Sequence, residues 1–172
     1  LRQIPEVQGG FMAMDVFTGR VIAMQGGFSY QDSVFNRATQ ATRQPGSSFK
    51  SFVYAAALDN GFTPGTIVVD APIEVETAEG LWTPKNASNK FYGPTPVRTG
   101  IEQSRNLMTV RIAQEIGMET VARYAENFGV YNPMRPFLAN SLGAQETTLF
   151  KMVAAYATVS YTHLRAHETK AN

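Results

Sequence analysis

Ser47 and Lys50 stand three residues apart, just after a Pro-Gly break and at the head of an apolar run. On a helix, positions i and i+3 share a face with their Cβ atoms about 5–6 Å apart. A lysine amine so placed can reach a serine hydroxyl. Helix N-termini add partial positive charge and free backbone N–H groups, which can stabilise an oxyanion on a carbonyl substrate. An amine beside apolar helix faces loses solvation, which favours its neutral, basic form. A Ser–Lys pair is therefore a sufficient nucleophile and base without histidine. Spacing alone is weak, because a capping serine beside a solvated lysine has the same pattern. Ser104 and Asn106 form a second candidate pair, in a break between two helical stretches. The hydroxyl can relay a proton, and the amide can hold a lysine head and a substrate amide. Alone, that pair reads equally well as turn chemistry.

Composition narrows the chemistry. The chain has 172 residues, with no cysteine and two histidines, His163 and His167, both near its end. Residues 1–162 therefore hold no imidazole and no thiol, so a Ser-His-Asp triad, a cysteine nucleophile or a thiolate zinc site cannot be built there. Proton transfer falls to Lys, Asp, Glu, Tyr or a hydroxyl. Fifteen basic and fourteen acidic residues give a net charge of +1, which provides no basic field for nucleic acid. No run of about 18 apolar residues is present to span a bilayer. No metal or cofactor is called for.

The elements that must position these residues follow from the pattern. Phe11–Val16 and Arg20–Met24 flank Thr18-Gly19 and read as a hairpin. Both runs are continuous rather than alternating, which predicts strands covered on both faces. Ser47 to Asn60 reads as a helix stopped by Gly61, with Phe49, Phe52, Val53, Ala56 and Ala57 on its core side. The proline-rich stretch 62–97 reads as mostly irregular, with Asp70–Val75 as a short strand and Trp82 as a loop anchor. Further helices are expected over 98–116, broken near Ser104–Asn106, over Met118–Phe128, and over Thr147–Thr158. Met108 and Tyr124 are expected in the core, and Asp15 at the hairpin turn.

Taken together, Ser47-x-x-Lys50 followed by Ser104-x-Asn106 resembles two of the three active-site motifs of penicillin-recognising serine enzymes. The resemblance extends to Met14–Met24, Asn36-Arg37-Ala38, Arg43–Lys50, Trp82–Asn86 and Gln103–Arg111. It covers roughly residues 7–158 and is similar to the class A, bifunctional, PBP1A-like penicillin-binding proteins. It implies an α/β fold of the α+β type: an incomplete penicillin-binding transpeptidase or β-lactamase-like fold. In such a fold the N-terminal β-hairpin and a helical cluster are present and later sheet strands are missing.

The implied activity is that of a serine-type D,D-transpeptidase, cross-linking peptidoglycan stem peptides that end in D-Ala-D-Ala. β-Lactams are the implied trapping ligands. Ser47 would be the acylated nucleophile and Lys50 its proton acceptor. Ser104 would pass the proton to the leaving amine, and Asn106 would orient Lys50 and the substrate backbone. The Ser47 N–H would supply half of an oxyanion hole. A D,D-carboxypeptidase or β-lactamase-like hydrolase shares these motifs, and a non-catalytic module of the same fold would use Ser47 and Asn106 only as caps. The implied parent protein is membrane-anchored, with its catalytic domains on the periplasmic face of the bacterial inner membrane.

Two departures matter. No Lys-Thr-Gly or Lys-Ser-Gly occurs in the chain, so the third motif is absent and the 172-residue chain is expected to be inactive or very weak. The string Val159–Thr169 also resembles the conceptual translation of a transposase-type sequencing adapter. The expected organisation is thus a partial transpeptidase domain over 1–158 and a non-native tail over 159–172. The nucleotides encoding Val159–Thr169 should match adapter sequence, and continuous genomic reads through that position without such a match would refute the tail.

Overall fold

The computed structural model describes residue 3 and residues 5–77 and 80–160. His163, His167 and most of the expected tail lie outside the described residues. Helices and short strands are mixed, as expected, and every sheet among the described residues is a two-stranded antiparallel pair. The chain forms two compact units.

The first unit contains the segments up to Gln44, Glu126–Asn132 and the chain from Glu146 onward. Strands β1 (Phe11–Met14) and β2 (Val21–Gln25) pair antiparallel, with Phe11 opposite Gln25 and Met12 opposite Met24. The expected hairpin is therefore present. Asp15 shapes its turn: Oδ1 accepts the N–H of Phe17 at 2.8 Å and of Thr18 at 2.9 Å. Those bonds, Thr18's foremost, hold the Asp15 carboxyl below the usual carboxylate range. Gly19 closes the turn with φ +69°. Coverage on both faces does not occur. All five β2 residues are exposed, and only Met12 of β1 is buried. The hairpin pairs with itself, and helix packing reaches β1 rather than β2.

That helix ends the unit. Thr42–Arg43 (β3) pairs with Thr147–Thr148, which directly precede the helix Leu149–Ser160. A start at Thr147 was expected. The two threonines are instead taken by the sheet pair: Thr147 Oγ1 donates to the Val130 carbonyl at 2.7 Å, and Thr148 Oγ1 accepts the Lys151 N–H at 3.3 Å. The second bond caps the helix, a role threonine fills well.

The second unit, Pro45–Ala125 with Pro133–Gln145, holds all four candidate site residues. A short 3-10 turn, Gly46–Phe49, leads into helix α1 (Lys50–Asp59). The α-helix thus begins at Lys50, three residues later than Ser47, and no side chain caps either the turn or the helix. Downstream of it, β4 (Ile67–Asp70) pairs with β7 (Gly93–Pro96), and between them β5 (Val75–Thr77) pairs with β6 (Gly80–Trp82). The expected strand over Asp70–Val75 is split: Asp70 ends β4, Val75 opens β5, and Pro72, which cannot donate to a ladder, lies in the bend. Trp82 is half-buried on the β5–β6 ribbon.

Helices α2 (Val97–Glu102) and α3 (Asn106–Ile116) meet at the expected break, and α4 (Met118–Asn127) follows Gly117, whose φ is +83°. The helix at the end of the first unit is α5. The core of the second unit lies where α1 packs against α3. Phe49, Phe52, Val53, Ala56 and Ala57 meet Leu107, Met108, Val110, Ile112 and Ala113, all fully buried. The Phe49 and Phe52 rings are 5.7 Å apart and tilted by 41°. Tyr124 is not in this core. It is half-buried, and its hydroxyl donates to Asp59.

A second 3-10 turn, Leu138–Leu142, ends at Gly143 and packs on the first. Gly46 N donates to the Gly143 carbonyl at 3.2 Å. Gly143 has φ +75°, and a Cβ there would lie 2.3 Å from the Gly46 carbonyl oxygen. Only glycine lets the two turns approach this closely. Gly143→Ala should therefore destabilise the unit by roughly 1–3 kcal/mol. Thermal melting of wild type and variant checks this, and an unchanged melting temperature contradicts it.

Candidate active site

Lys50 is the first residue of α1, and its side chain runs into the unit, 2% exposed. An ammonium has three donors and no acceptor. Here Nζ donates to Asn106 Oδ1 at 2.5 Å, to the Ser104 carbonyl at 2.7 Å and to Ser104 Oγ at 3.0 Å. All three donors are used. Burial and hydrogen bonding oppose one another: burial disfavours the charge, while the three acceptors hold it. Burial dominates and lowers the amine from 10.5 to about 8. Between those two values the unfolded chain keeps a proton that the folded amine has lost. Lys50 therefore makes folding more favourable as pH rises through that window, and costs stability below it.

The acceptors come from the break between α2 and α3. Ser104 has φ +53°, an unusual conformation for a residue with a Cβ. It lets one residue present both its carbonyl and its hydroxyl to the same amine. Such backbone strain costs of order 1–3 kcal/mol and persists where surrounding contacts enforce it. Asn106 opens α3, and its Nδ2 donates to the Lys85 carbonyl at 2.7 Å. That bond leaves Oδ1 for Lys50.

Ser47 lies in the 3-10 turn before α1 and is exposed. The spacing lets the Lys50 amine reach the Ser47 hydroxyl, but Nζ is hydrogen-bonded elsewhere. The Lys50 ammonium is turned to Ser104 and Asn106 instead, because those groups supply three acceptors and one hydroxyl supplies one. Structure thus brings Lys50, Ser104 and Asn106 into direct contact, while Ser47 stays exposed in the turn that leads into α1. The Ser47 N–H precedes any intrahelical acceptor, as the first N–H groups of a helix do.

Sequence reasoning missed what lies behind this cluster. Asp70, at the end of β4, is fully buried. Its Oδ2 lies 3.5 Å from Nη1 of Arg105, which is also buried. The Arg105 guanidinium lies 3.2 Å from the centre of the Tyr92 ring and donates to Gln103 Oε1. Asp70 Oδ1 accepts from Asn86 Nδ2 at 2.7 Å. Asn86 Oδ1 in turn accepts the N–H of Asn106 at 2.9 Å and of Leu107 at 3.3 Å. Helix α3 has no side-chain cap of its own, and Asn86 caps it from outside. The signals were an acid ending an apolar run, Ile67-Val68-Val69-Asp70, and the basic residue inside Ser104-Arg105-Asn106.

Comparison with known proteins gives a consistent result. The family model for the penicillin binding protein transpeptidase domain matches residues 9–166. Penicillin-binding protein 1A of Rickettsia conorii is 47% identical over 162 residues, covering 93% of this chain and 20% of that protein. The Pseudomonas aeruginosa protein of the same name is 41% identical over 158 residues, covering 90% and 19%. The chain thus spans about a fifth of the length of these curated relatives. Among solved structures, penicillin-binding protein 1A from Haemophilus influenzae superimposes with a TM-score of 0.87 at 38% identity, covering 92% of this chain and 24% of that one. PonA1 from Mycobacterium tuberculosis in complex with penicillin V gives 0.78 at 25% identity, covering 90% and 43%.

The buried ion pair makes its own prediction. Arg105→Met removes the cation and leaves Asp70 buried beside an apolar chain, which should cost about 3–5 kcal/mol. Adding Asp70→Asn removes the orphaned charge and should recover a substantial part of that loss. Denaturant unfolding of the single and double variants measures both, and a double variant no more stable than Arg105→Met would contradict this account.

Proposed function

The chain belongs to the penicillin-binding protein transpeptidase family, and on that premise we propose that it is the part of a peptidoglycan D,D-transpeptidase domain that carries the acylating serine and its base. Ser47 attacks the carbonyl of the D-Ala-D-Ala bond in a stem peptide. Lys50 takes the hydroxyl proton as the Ser47–acyl bond forms. Ser104, hydrogen-bonded to that amine, returns the proton to the leaving D-alanine nitrogen. The acyl group then passes to an amine of a neighbouring stem peptide, and the Ser47 hydroxyl is regenerated. β-Lactams enter by the same first step and remain bound to Ser47. Asn106 holds Lys50 and faces the peptide backbone of the substrate.

The observation that supports this reading best is the state of Lys50. Its amine is buried, held by three acceptors, and brought to about 8 by burial, one helical turn from an exposed serine. An amine near that value keeps a usable neutral fraction close to neutral pH and still accepts a proton readily, which is what a general base requires. The Ser47 N–H, at the open end of its turn, is a fitting oxyanion donor. A periplasmic setting for the parent protein follows from the substrate. The boundary at 158 and the tail over 159–172 remain part of this proposal; the family match runs to residue 166, so that boundary rests on the Val159–Thr169 string alone.

Labelling of the full-length protein with a fluorescent penicillin tests the assignment. Ser47→Ala should abolish covalent labelling, and Lys50→Met should slow it by about 10²–10⁴-fold. In the wild type the acylation rate should rise with pH and level off above about 8, as the amine loses its proton. Labelling that survives Ser47→Ala assigns the nucleophile elsewhere, and a pH-independent rate removes Lys50 from the role of base.

A further inference from the structure

An asparagine amide has two nearly isosteric ends. Only the oxygen end of Asn106 serves Lys50, since an NH₂ group turned toward an ammonium repels it. Something must select that orientation. The Lys85 carbonyl does so directly, by accepting from Nδ2 at 2.7 Å. Residue 85 is held in place by its neighbour. Asn86 is buried, and its Oδ1 takes the first two N–H groups of α3, those of Asn106 and Leu107. Asn86 faces the same two-way choice. Its Nδ2 donates to Asp70 Oδ1 at 2.7 Å and to the Lys90 carbonyl at 3.0 Å. An ionised carboxylate accepts only, so Asp70 fixes the amide of Asn86 and leaves the oxygen for α3. Arg105, at 3.5 Å with the Tyr92 ring against it, and the buried Tyr54 phenol, whose titration is opposed by burial first and by the Asp70 charge as well, also face this carboxylate.

We propose that Asn86, oriented by Asp70, is a positioning residue that sets the placement and amide orientation of Asn106 toward Lys50. It rests on the reading of Lys50 and Asn106 as acyl-transfer machinery, and touches neither substrate nor the reacting atoms. Asp70 fixes which end of the Asn86 amide meets α3, and the Lys85 carbonyl, which accepts only, fixes which end of the Asn106 amide meets Lys50. Asp70 orders Asn86, Asn86 and its neighbour's carbonyl order Asn106, and Asn106 receives Lys50.

Two substitutions test this in the full-length protein, read as the rate of acylation by a fluorescent penicillin relative to wild type across pH. Asn86→Ala removes the whole link and should slow acylation about tenfold or more at every pH, the effect expected for losing a hydrogen bond to a charged group. Asn86→Asp keeps the oxygen that caps α3 and replaces Nδ2 by a titratable oxygen. Two carboxyls in contact share one proton at lower pH, so the new group still donates to Asp70, while the bond to the Lys90 carbonyl is lost at every pH. As pH rises the proton is lost and the two charges repel. The rate ratio for Asn86→Asp should therefore be highest at low pH and fall about tenfold or more as pH rises, while circular dichroism shows the protein still folded.

An Asn86→Ala variant that folds and acylates at the wild-type rate overturns the proposal. So does an Asn86→Asp ratio that is flat across pH, or one that falls only where the protein unfolds, since each reduces Asn86 to scaffold. If Asn86→Ala does not fold, Asn86→Asp alone decides by the same criteria. Ser47→Ala, run alongside, keeps the two readings apart. Labelling that persists there refutes the assignment of the nucleophile, whereas a failure confined to the Asn86 variants refutes only the positioning role.

Discussion

A buried ammonium that must find three acceptors is the constraint on which the second unit depends. Lys50 enters the interior because it is the first residue of α1, and the residues following it, Phe52, Val53, Ala56 and Ala57, draw that helix against α3. Once there, its charge has to be met or its burial is prohibitive. The break between α2 and α3 meets it. A continuous helix through residues 97–116 would use its carbonyls internally and offer none to Lys50. Ser104 interrupts the helix, takes a positive φ, and frees two oxygens. The broken helix and the buried amine are thus solutions to one another.

This arrangement brings a second buried charge with it. Arg105, between the two residues that hold Lys50, is buried too, and Asp70 at the end of β4 compensates it. A strand end, an irregular loop and a helix N-terminus are thereby tied through polar groups. Apolar packing could hold the same elements together, with less desolvation cost. It would not fix which end of an amide faces which neighbour. Hydrogen bonds with a defined direction do, and Asn86 has one such group on either side. Polar burial costs stability here and supplies orientation.

The sequence made the helices and the hairpin readable because each carries a local signal: apolar spacing over α1, α3 and α4, and a Thr-Gly turn after Asp15. The family resemblance was readable for the same reason, since motifs are local strings. Pairing that joins distant segments was not. β4 and β7 looked irregular because Pro94 and Pro96 sit in β7, yet among the described residues those prolines occupy an edge strand paired with β4 alone. Exposure of β2 was equally invisible, since apolar composition says what a strand would bury and not whether anything lies over it. Lys50, Ser104 and Asn106 could be named once spacing was joined to the family resemblance. Their contacts could not, because the choice of Ser104 over Ser47 as the partner of Lys50 depends on where α3 begins, and the first N–H groups of that helix bond to Asn86, twenty residues upstream.

Ser104 also shows why this site resists simplification. Glycine would adopt φ +53° without strain and would still offer its carbonyl to Lys50, so backbone energetics alone favour it. It would lose the Oγ acceptor at 3.0 Å and leave one ammonium proton without a partner in a buried setting. The loss of a hydrogen bond to a charged group, about 1.5–3 kcal/mol, is comparable to the 1–3 kcal/mol of strain relieved. On stability the two residues are therefore nearly balanced. What separates them is the hydroxyl itself, the one group touching Lys50 that can both accept a proton and donate one. A strained serine where glycine fits is a choice that folding does not explain and the proposed proton transfer would.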